Sequence, residues 1–417
     1  MTTSTFIPRA RLDGTAGRTG TVVTPHGEIA TPAFVPVGTK ATVKTVLPES
    51  VAALGAQAVL ANAYHLYLQP GPDIVDAAGG LGAFMNWPGP TYTDSGGFQV
   101  MSLGVGFKKV ISMDVPGAPA QDDDAIAPGK ERLANVDDDG VTFKSHIDGS
   151  RHRFTPEVSM QIQHQLGADI IFAFDELTTL MNTRGYQEES LERTRQWAIR
   201  CLAEHKRLSA ERRHRPQQAL WGVVQGAQYE DLRRKATRDL VELSRIDRDN
   251  GGKGFGGYGI GGALEKANLG TIVGWVTDEL PDDAPRHLLG ISEPDDIFTA
   301  IENGADTFDC VSPTRVARNG AIYSFDGRYN VTNAKYKADF SPLDAELDNY
   351  STQYTRAYLH HLFRAKEGLA ATLATLHNLS FTVTLVDRAR RAIEEGNYVE
   401  YRDDFLARYY AGTRQTC

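Results

Sequence analysis

The chain has 417 residues, 41% of them hydrophobic and 23% charged, which suits a large globular core and either two to three domains or one α/β barrel with an appended piece. No apolar run approaches the ~18 residues of a membrane span, Met1 to Arg9 lacks an apolar signal core, and Cys201, Cys310 and Cys417 are too few for a disulfide framework, so a cytoplasmic, reducing setting with no membrane is expected. The net charge of −9 argues against coating nucleic acid through global positive charge.

Short apolar runs end abruptly in a polar residue or glycine at 58–60, 90–93, 170–174, 219–224, 258–260, 287–289 and 306–308. Helical patterns lie at 156–166, 190–208, 230–245 and 294–303. The alternation predicts βα units around a parallel sheet. One stretch breaks it. Near 110–140, Pro116, Gly117, Pro119, Pro128 and Gly129 mix with clustered aspartates. These residues disfavour helix and strand interiors, so an inserted acidic loop is expected there. From Cys310 onward 14 Lys and Arg face 12 Asp and Glu. The C-terminal end is therefore slightly basic on an acidic chain.

The polar residues that end the runs carry the chemistry. In a (β/α)8 barrel the C-terminal strand ends form one face, and active sites sit on it. Asp94, Asp175, Gln225, Gly262 and Asp309 would all converge there. Taken singly, an Asp after a strand is as well explained as the cap of the next helix. Together, two carboxylates without a metal set suit substitution at an acetal-like carbon: one attacks C1 of a sugar and the other moves the proton of the leaving group. Asp175 and Gln225 offer the acceptor and donor that a guanine-like base requires. Gly262 would let a backbone N–H approach that base closely.

Other motifs are weaker. The run from Gly254 to Gly259 satisfies GxGxxG, but a strand-like segment follows it where a dinucleotide fingerprint needs a helix. Ser95 lies in no GxSxG elbow. His360 and His361 are adjacent, so on a helix they diverge by ~100° and cannot share an ion. Cys310 reads as a small apolar filler.

These segments resemble the bacterial-type tRNA-guanine transglycosylases, the queuine tRNA-ribosyltransferases. The resemblance rests on Asn86-Trp87-Pro88-Gly89-Pro90, Asp94-Ser95-Gly96-Gly97-Phe98-Gln99, Phe174-Asp175-Glu176, Val224-Gln225-Gly226, Gly261-Gly262 and Phe308-Asp309-Cys310 with Pro313-Thr314-Arg315. It implies a (β/α)8 TIM barrel over residues 1–327 with the acidic insertion. A small subdomain follows over 328–385, then a helical segment over 386–417 packs on the barrel. It implies exchange of guanine at the tRNA wobble position for a 7-deazaguanine, either the 7-aminomethyl base or queuine, through a covalent ribosyl-enzyme intermediate. Asp309 would be the nucleophile and Asp94 the general acid/base. Ser95, Phe98, Asp175, Gln225, Gly261 and Gly262, with Asp94, would bind the base. Thr314, Arg315 and Arg318 would hold tRNA, and Arg315 would lower the pKa of Asp309. A homodimer is implied as well.

The chain departs from the family pattern in two places. The family's structural zinc sits on Cys-x-Cys-x2-Cys plus a later His. The matching stretch, 342–354, has no cysteine, and His377 has lost its partners. No metal and no other cofactor is expected, with Leu347, Tyr350 and Tyr354 packing the subdomain instead. The run Ala263-Leu264-Glu265-Lys266 looks short, and Leu177 lines the same pocket, so the preferred 7-deazaguanine stays open. A nucleosidase with the same two carboxylates, or a relative modifying another nucleic-acid position, are the competing readings.

Overall fold

The computed structural model describes residues 5–105, 134–212, 215–262 and 265–411. Eight short parallel strands form its centre: β1 (Ala33–Pro36), β2 (Val59–Ala61), β3 (Thr91–Thr93), β4 (Ile170–Phe172), β5 (Ala219–Val224), β6 (Gly257–Ile260), β7 (Arg286–Leu288) and β8 (Thr307–Cys310). From β2 onward each pairs with the next in chain order, and β8 pairs with β1. A parallel bridge between Val37 and Leu60 joins β1 to β2, so the sheet closes into a (β/α)8 barrel. Most strand residues are buried, which is why the strands read as continuous apolar runs rather than alternating ones.

The barrel interior is a packed core. Tyr92, Phe172, Trp221 and His287 meet edge-to-face or tilted inside it. A three-stranded antiparallel sheet, Thr5–Arg11, Arg18–Thr24 and Gly27–Thr31, closes the barrel's floor through Phe6, Val22 and Ile29. Arg18 locks that sheet to the strand above. Its guanidinium grips Asp306 through two bonds of 2.9 and 2.7 Å and donates to the carbonyls of Asp282 and Ala284, fully buried.

Of the acidic stretch, residues 106–133 lie outside the described residues, as does Cys417. From Ala134 the chain forms a three-stranded antiparallel sheet, Ala134–Asp137, Gly140–Lys144 and Arg151–Phe154. The C-terminal residues build on a 28-residue helix, Gly368–Glu395. It is long and apolar enough to cross a bilayer, yet most of it is buried inside the protein, as a core helix is. This helix runs unbroken through 385, and the hairpin of Ala321–Ser324 and Gly327–Asn330 runs through 327, so both expected subdomain limits fall inside elements.

The stretch that matches the family's zinc loop is tied down by polar bonds. Asn349 caps a 3-10 turn, Tyr350–Gln353, and its amide reaches Ser380. Buried His377 has Nδ1 at 3.2 Å from the Ser351 hydroxyl and Nε2 at 2.8 Å from the Tyr323 carbonyl. Burial pushes its pKa down to about 4. With both nitrogens engaged, and no cluster of three or more metal-binding side chains among the described residues, these residues do not fit a zinc ion. Leu347 and half-buried Tyr354 pack as expected, but Tyr350 is 56% exposed and leans on Tyr354.

Candidate active site

Parallel pairing brings every C-terminal strand end to one mouth. Asp94 and Ser95 follow β3, Asp175 follows β4, Gln225 follows β5, Gly261 and Gly262 follow β6, and Asp309 lies at the end of β8. The carboxylates and the base-recognition residues named from sequence are thus gathered on one rim.

Asp309 faces the barrel axis from β8. Its Oδ1 accepts from Nε2 of His287 at 3.0 Å and from the Gly290 N–H at 3.3 Å. Arg315, expected to lower the pKa of this carboxylate, is exposed and pairs with no carboxylate among the described residues.

Asp94 is held from the turn after the neighbouring strand, β2. Asn62 donates to Oδ2 at 2.5 Å, and the Ala63 N–H donates to Oδ1 at 2.7 Å. Burial pushes its pKa up to about 6, against the hydrogen bonds of Asn62, Ala63 and Gln99, and the Asp309 charge adds to the rise. A carboxyl whose pKa is raised in this way suits a general acid/base.

On the same rim Asp175 and Gln225 form an acceptor–donor pair. Asp175 is buried, and its oxygens accept from Ser95 Oγ at 3.0 Å and Gln225 Nε2 at 2.6 Å. Burial pushes its pKa to about 6 as well. Gly262 has φ +94°, and a Cβ there would stand 2.7 Å from Gln225 Oε1 and 3.0 Å from Arg233 Nη2. Only glycine fits, and its N–H donates to no other described residue. Phe98, at the start of the helix Gly97–Val105, is 45% exposed, as a ring kept for stacking would be. Leu177 packs half-buried on the main core, and Ala263 and Leu264 lie outside the described residues.

Arg315 and Arg318 sit on the short helix Ser312–Ala317 and its cap. Neither pairs with a carboxylate among the described residues, and burial together with the Arg315 charge holds the Arg318 pKa down. Two adjacent guanidiniums without a counter-charge suit a phosphate. Thr314 is turned away: its hydroxyl donates to the Val311 carbonyl. Buried Asn378 fixes this turn from the long helix, donating to the Pro313 and Ala321 carbonyls and accepting from the Tyr323 N–H.

Three residues of the site carry no clear mark in the sequence. Asn62 stands in the polar end of a run, but its partner is 32 residues on. His287 begins a run rather than ending it. Arg233 looks like one more helix arginine, yet it is fully buried. It donates to the carbonyls of Ala227, Val224 and Gly261, and so stitches the turns after β5 and β6 together. Burial pushes its pKa down to about 9.

Two carboxylates, an acceptor–donor pair and an unbonded glycine N–H at the strand ends of a (β/α)8 barrel suit a glycosyl-transferring barrel enzyme. The family model for queuine tRNA-ribosyltransferase matches residues 13–411, and the chain belongs to that family of pentosyltransferases. It is 43% identical over 403 residues to the queuine tRNA-ribosyltransferase of Desulforamulus reducens, across 95% of this chain and 96% of the relative. The same protein of Herpetosiphon aurantiacus is 45% identical over 398 residues, across 95% and 91%. That of Caldanaerobacter subterraneus subsp. tengcongensis is 44% identical over 405 residues, across 96% of each chain.

Proposed function

We propose that this enzyme exchanges guanine at the tRNA wobble position for a 7-deazaguanine base by two displacements at the same C1′. A carboxylate oxygen of Asp309 bonds to C1′, and the C1′–N bond to guanine breaks with its electron pair going to the base. Asp94 supplies the proton that the departing base takes up. The incoming base then gives a proton to Asp94, its nitrogen bonds to C1′, and the ester bond to Asp309 breaks. One glycosidic bond replaces another, so no energy source is required.

The observation that carries this reading is the pairing of two carboxylates with an Asp175–Gln225–Gly262 slot on one rim. Asp175 accepts from the ring and amino N–H groups of the base, and Gln225 and the Gly262 N–H donate to its carbonyl. Arg315 and Arg318 hold the adjoining phosphates. The bacterial pattern favours the 7-aminomethyl base over queuine. The working form is a cytoplasmic homodimer. Tyr350 and Tyr358, exposed on either side of the half-buried Tyr354 ring, support a partner face on the C-terminal unit.

The test is incorporation of labelled guanine into unfractionated tRNA by wild type and by Asp309→Ala. Incorporation by wild type alone is the expected result, with the two 7-deazaguanines then compared as competitors. No incorporation by folded wild type would reject base exchange on tRNA and turn attention to free nucleosides and DNA.

A further inference from the structure

Asp309 is supported from the neighbouring strand. On the adjacent parallel strands β7 and β8, His287 is in register with Thr307. Side chains alternate along a strand, so Thr307 and Asp309, two residues apart, share the inward face with His287. The three form a chain of contacts. Thr307 Oγ1 lies 2.8 Å from His287 Nδ1, and His287 Nε2 lies 3.0 Å from Asp309 Oδ1.

The ring cannot swing. It is fully buried, and its flanks are the rings of Tyr92 and Phe172, with centroids 5.6 and 5.5 Å away. Asp309 Oδ1 is doubly held, by His287 and by the Gly290 N–H. Its Oδ2 accepts no hydrogen bond from the described residues. An ionised carboxylate has no proton to give, so Nε2 carries one and donates whether the ring is neutral or charged.

We propose that His287 is the positioning residue of the nucleophile: it fixes Oδ1 of Asp309 and leaves Oδ2 as the oxygen that bonds to C1′. The proposal rests on the reading of Asp309 as the nucleophile. As the Oδ2–C1′ bond forms and the C1′–N bond breaks, Oδ1 becomes the ester carbonyl and keeps its bond from Nε2. In the second displacement the ester's electron pair returns to the carboxylate, and the same N–H receives the restored charge. A support built on two strands holds the carboxylate more tightly than a loop can. A donor aimed at a reacting charge costs no reorganisation during the step.

The test uses the full chain and a tRNA transcript with guanine at the wobble position. Single-turnover formation of a denaturation-resistant enzyme–tRNA adduct is timed, beside steady-state guanine exchange. His287→Leu is expected to slow adduct formation and kcat roughly 10- to 100-fold, the loss that a misplaced reacting group brings, with KM for tRNA within about twofold. His287→Gln, whose amide nitrogen reaches the same place, is expected to restore about tenfold of that loss. A folded His287→Leu enzyme within threefold of the wild-type rate would overturn the proposal. So would a loss confined to KM, or a Gln variant as slow as the Leu variant. If His287→Leu does not fold, Thr307→Val decides, because it removes the hydroxyl that partners Nδ1 and, with it, the preference for the proton on Nε2: a slower adduct supports the proposal and the wild-type rate overturns it. Failure of the underlying reading looks different, as no adduct from wild type or an undiminished adduct from Asp309→Ala.

Discussion

Asp175→Asn is predicted to stabilise the enzyme while abolishing its activity. The carboxyl is buried, and burial outweighs its hydrogen bonds from Gln225 and Ser95, so its pKa stands at about 6 instead of 3.8. That difference corresponds to about 3 kcal/mol. Its sign is destabilising. Between pH 4 and 6 the folded state binds the proton more tightly than the unfolded state, so stability falls as pH rises through that window and stays low above it. Asparagine carries no such penalty. Its amide nitrogen would oppose the Gln225 amide nitrogen, but Gln225 Oε1 is buried without a partner, and turning that amide over restores the bond. The expected gain over wild type is about 3 kcal/mol at pH 7.5 and about 1 kcal/mol at pH 4.5. For a chain of this size that is a rise in melting temperature of about 3 °C and about 1 °C. Thermal melts of both proteins at both pH values read the difference. A variant that melts lower than wild type at both pH values, or that gains equally at both, would refute the reasoning. Base binding should fall by roughly 100-fold or more, because two N–H bonds to a charged acceptor disappear.

Other sites give sharper or simpler outcomes. Removing Arg315 and Arg318 together is expected to raise KM for tRNA while lowering its salt dependence, the log–log slope falling by roughly 1.5, about 0.7–0.9 for each phosphate no longer neutralised; an unchanged slope would remove them from the interface. Arg18→Ala should cost about 3–5 kcal/mol, since it leaves Asp306 charged and buried without its partner; a melt within a degree of wild type would show that the floor of the barrel does not depend on the pair. Incubation with a strong chelator should leave the melting temperature unchanged, and metal analysis should find no bound zinc; about one tightly held zinc per chain would show that the polar network around His377 does not replace a metal.

Much of this fold is legible in the sequence because the barrel writes its function at strand ends. Seven strands show themselves as apolar runs that stop at a polar residue or glycine. The eighth, β1, does not: Ala33–Pro36 is four residues long and ends in proline, so neither a polar stop nor a helical partner marks it. The GxGxxG run also resolves physically. Gly257 opens β6, and a Cβ there would stand 2.6 Å from the Trp221 ring, so that glycine serves packing inside the barrel. His360 is buried against the Val331 carbonyl while His361 is exposed, as their divergence on a helix requires. What stays hidden is contact across strands. His287 meets Asp309 only through the register of β7 on β8, and Asn62 meets Asp94 only because β2 and β3 are neighbours. Sequence distance carries no trace of either. The expected influence of Arg315 on the Asp309 pKa rests on closeness in sequence, whereas Arg315 is exposed on its helix and forms no ion pair with that carboxylate. The Tyr350 expectation fails for a similar reason: a loop rich in aromatics gives no sign of which ring turns inward.

The most direct measurement on the central claim is to quench the enzyme with tRNA in the absence of free base and map the covalent product. The predicted product is a ribosyl ester on the peptide that carries Asp309, absent in Asp309→Ala and consumed when free guanine is added before the quench. An ester on any other residue, or efficient exchange by Asp309→Ala with no adduct at all, would contradict it.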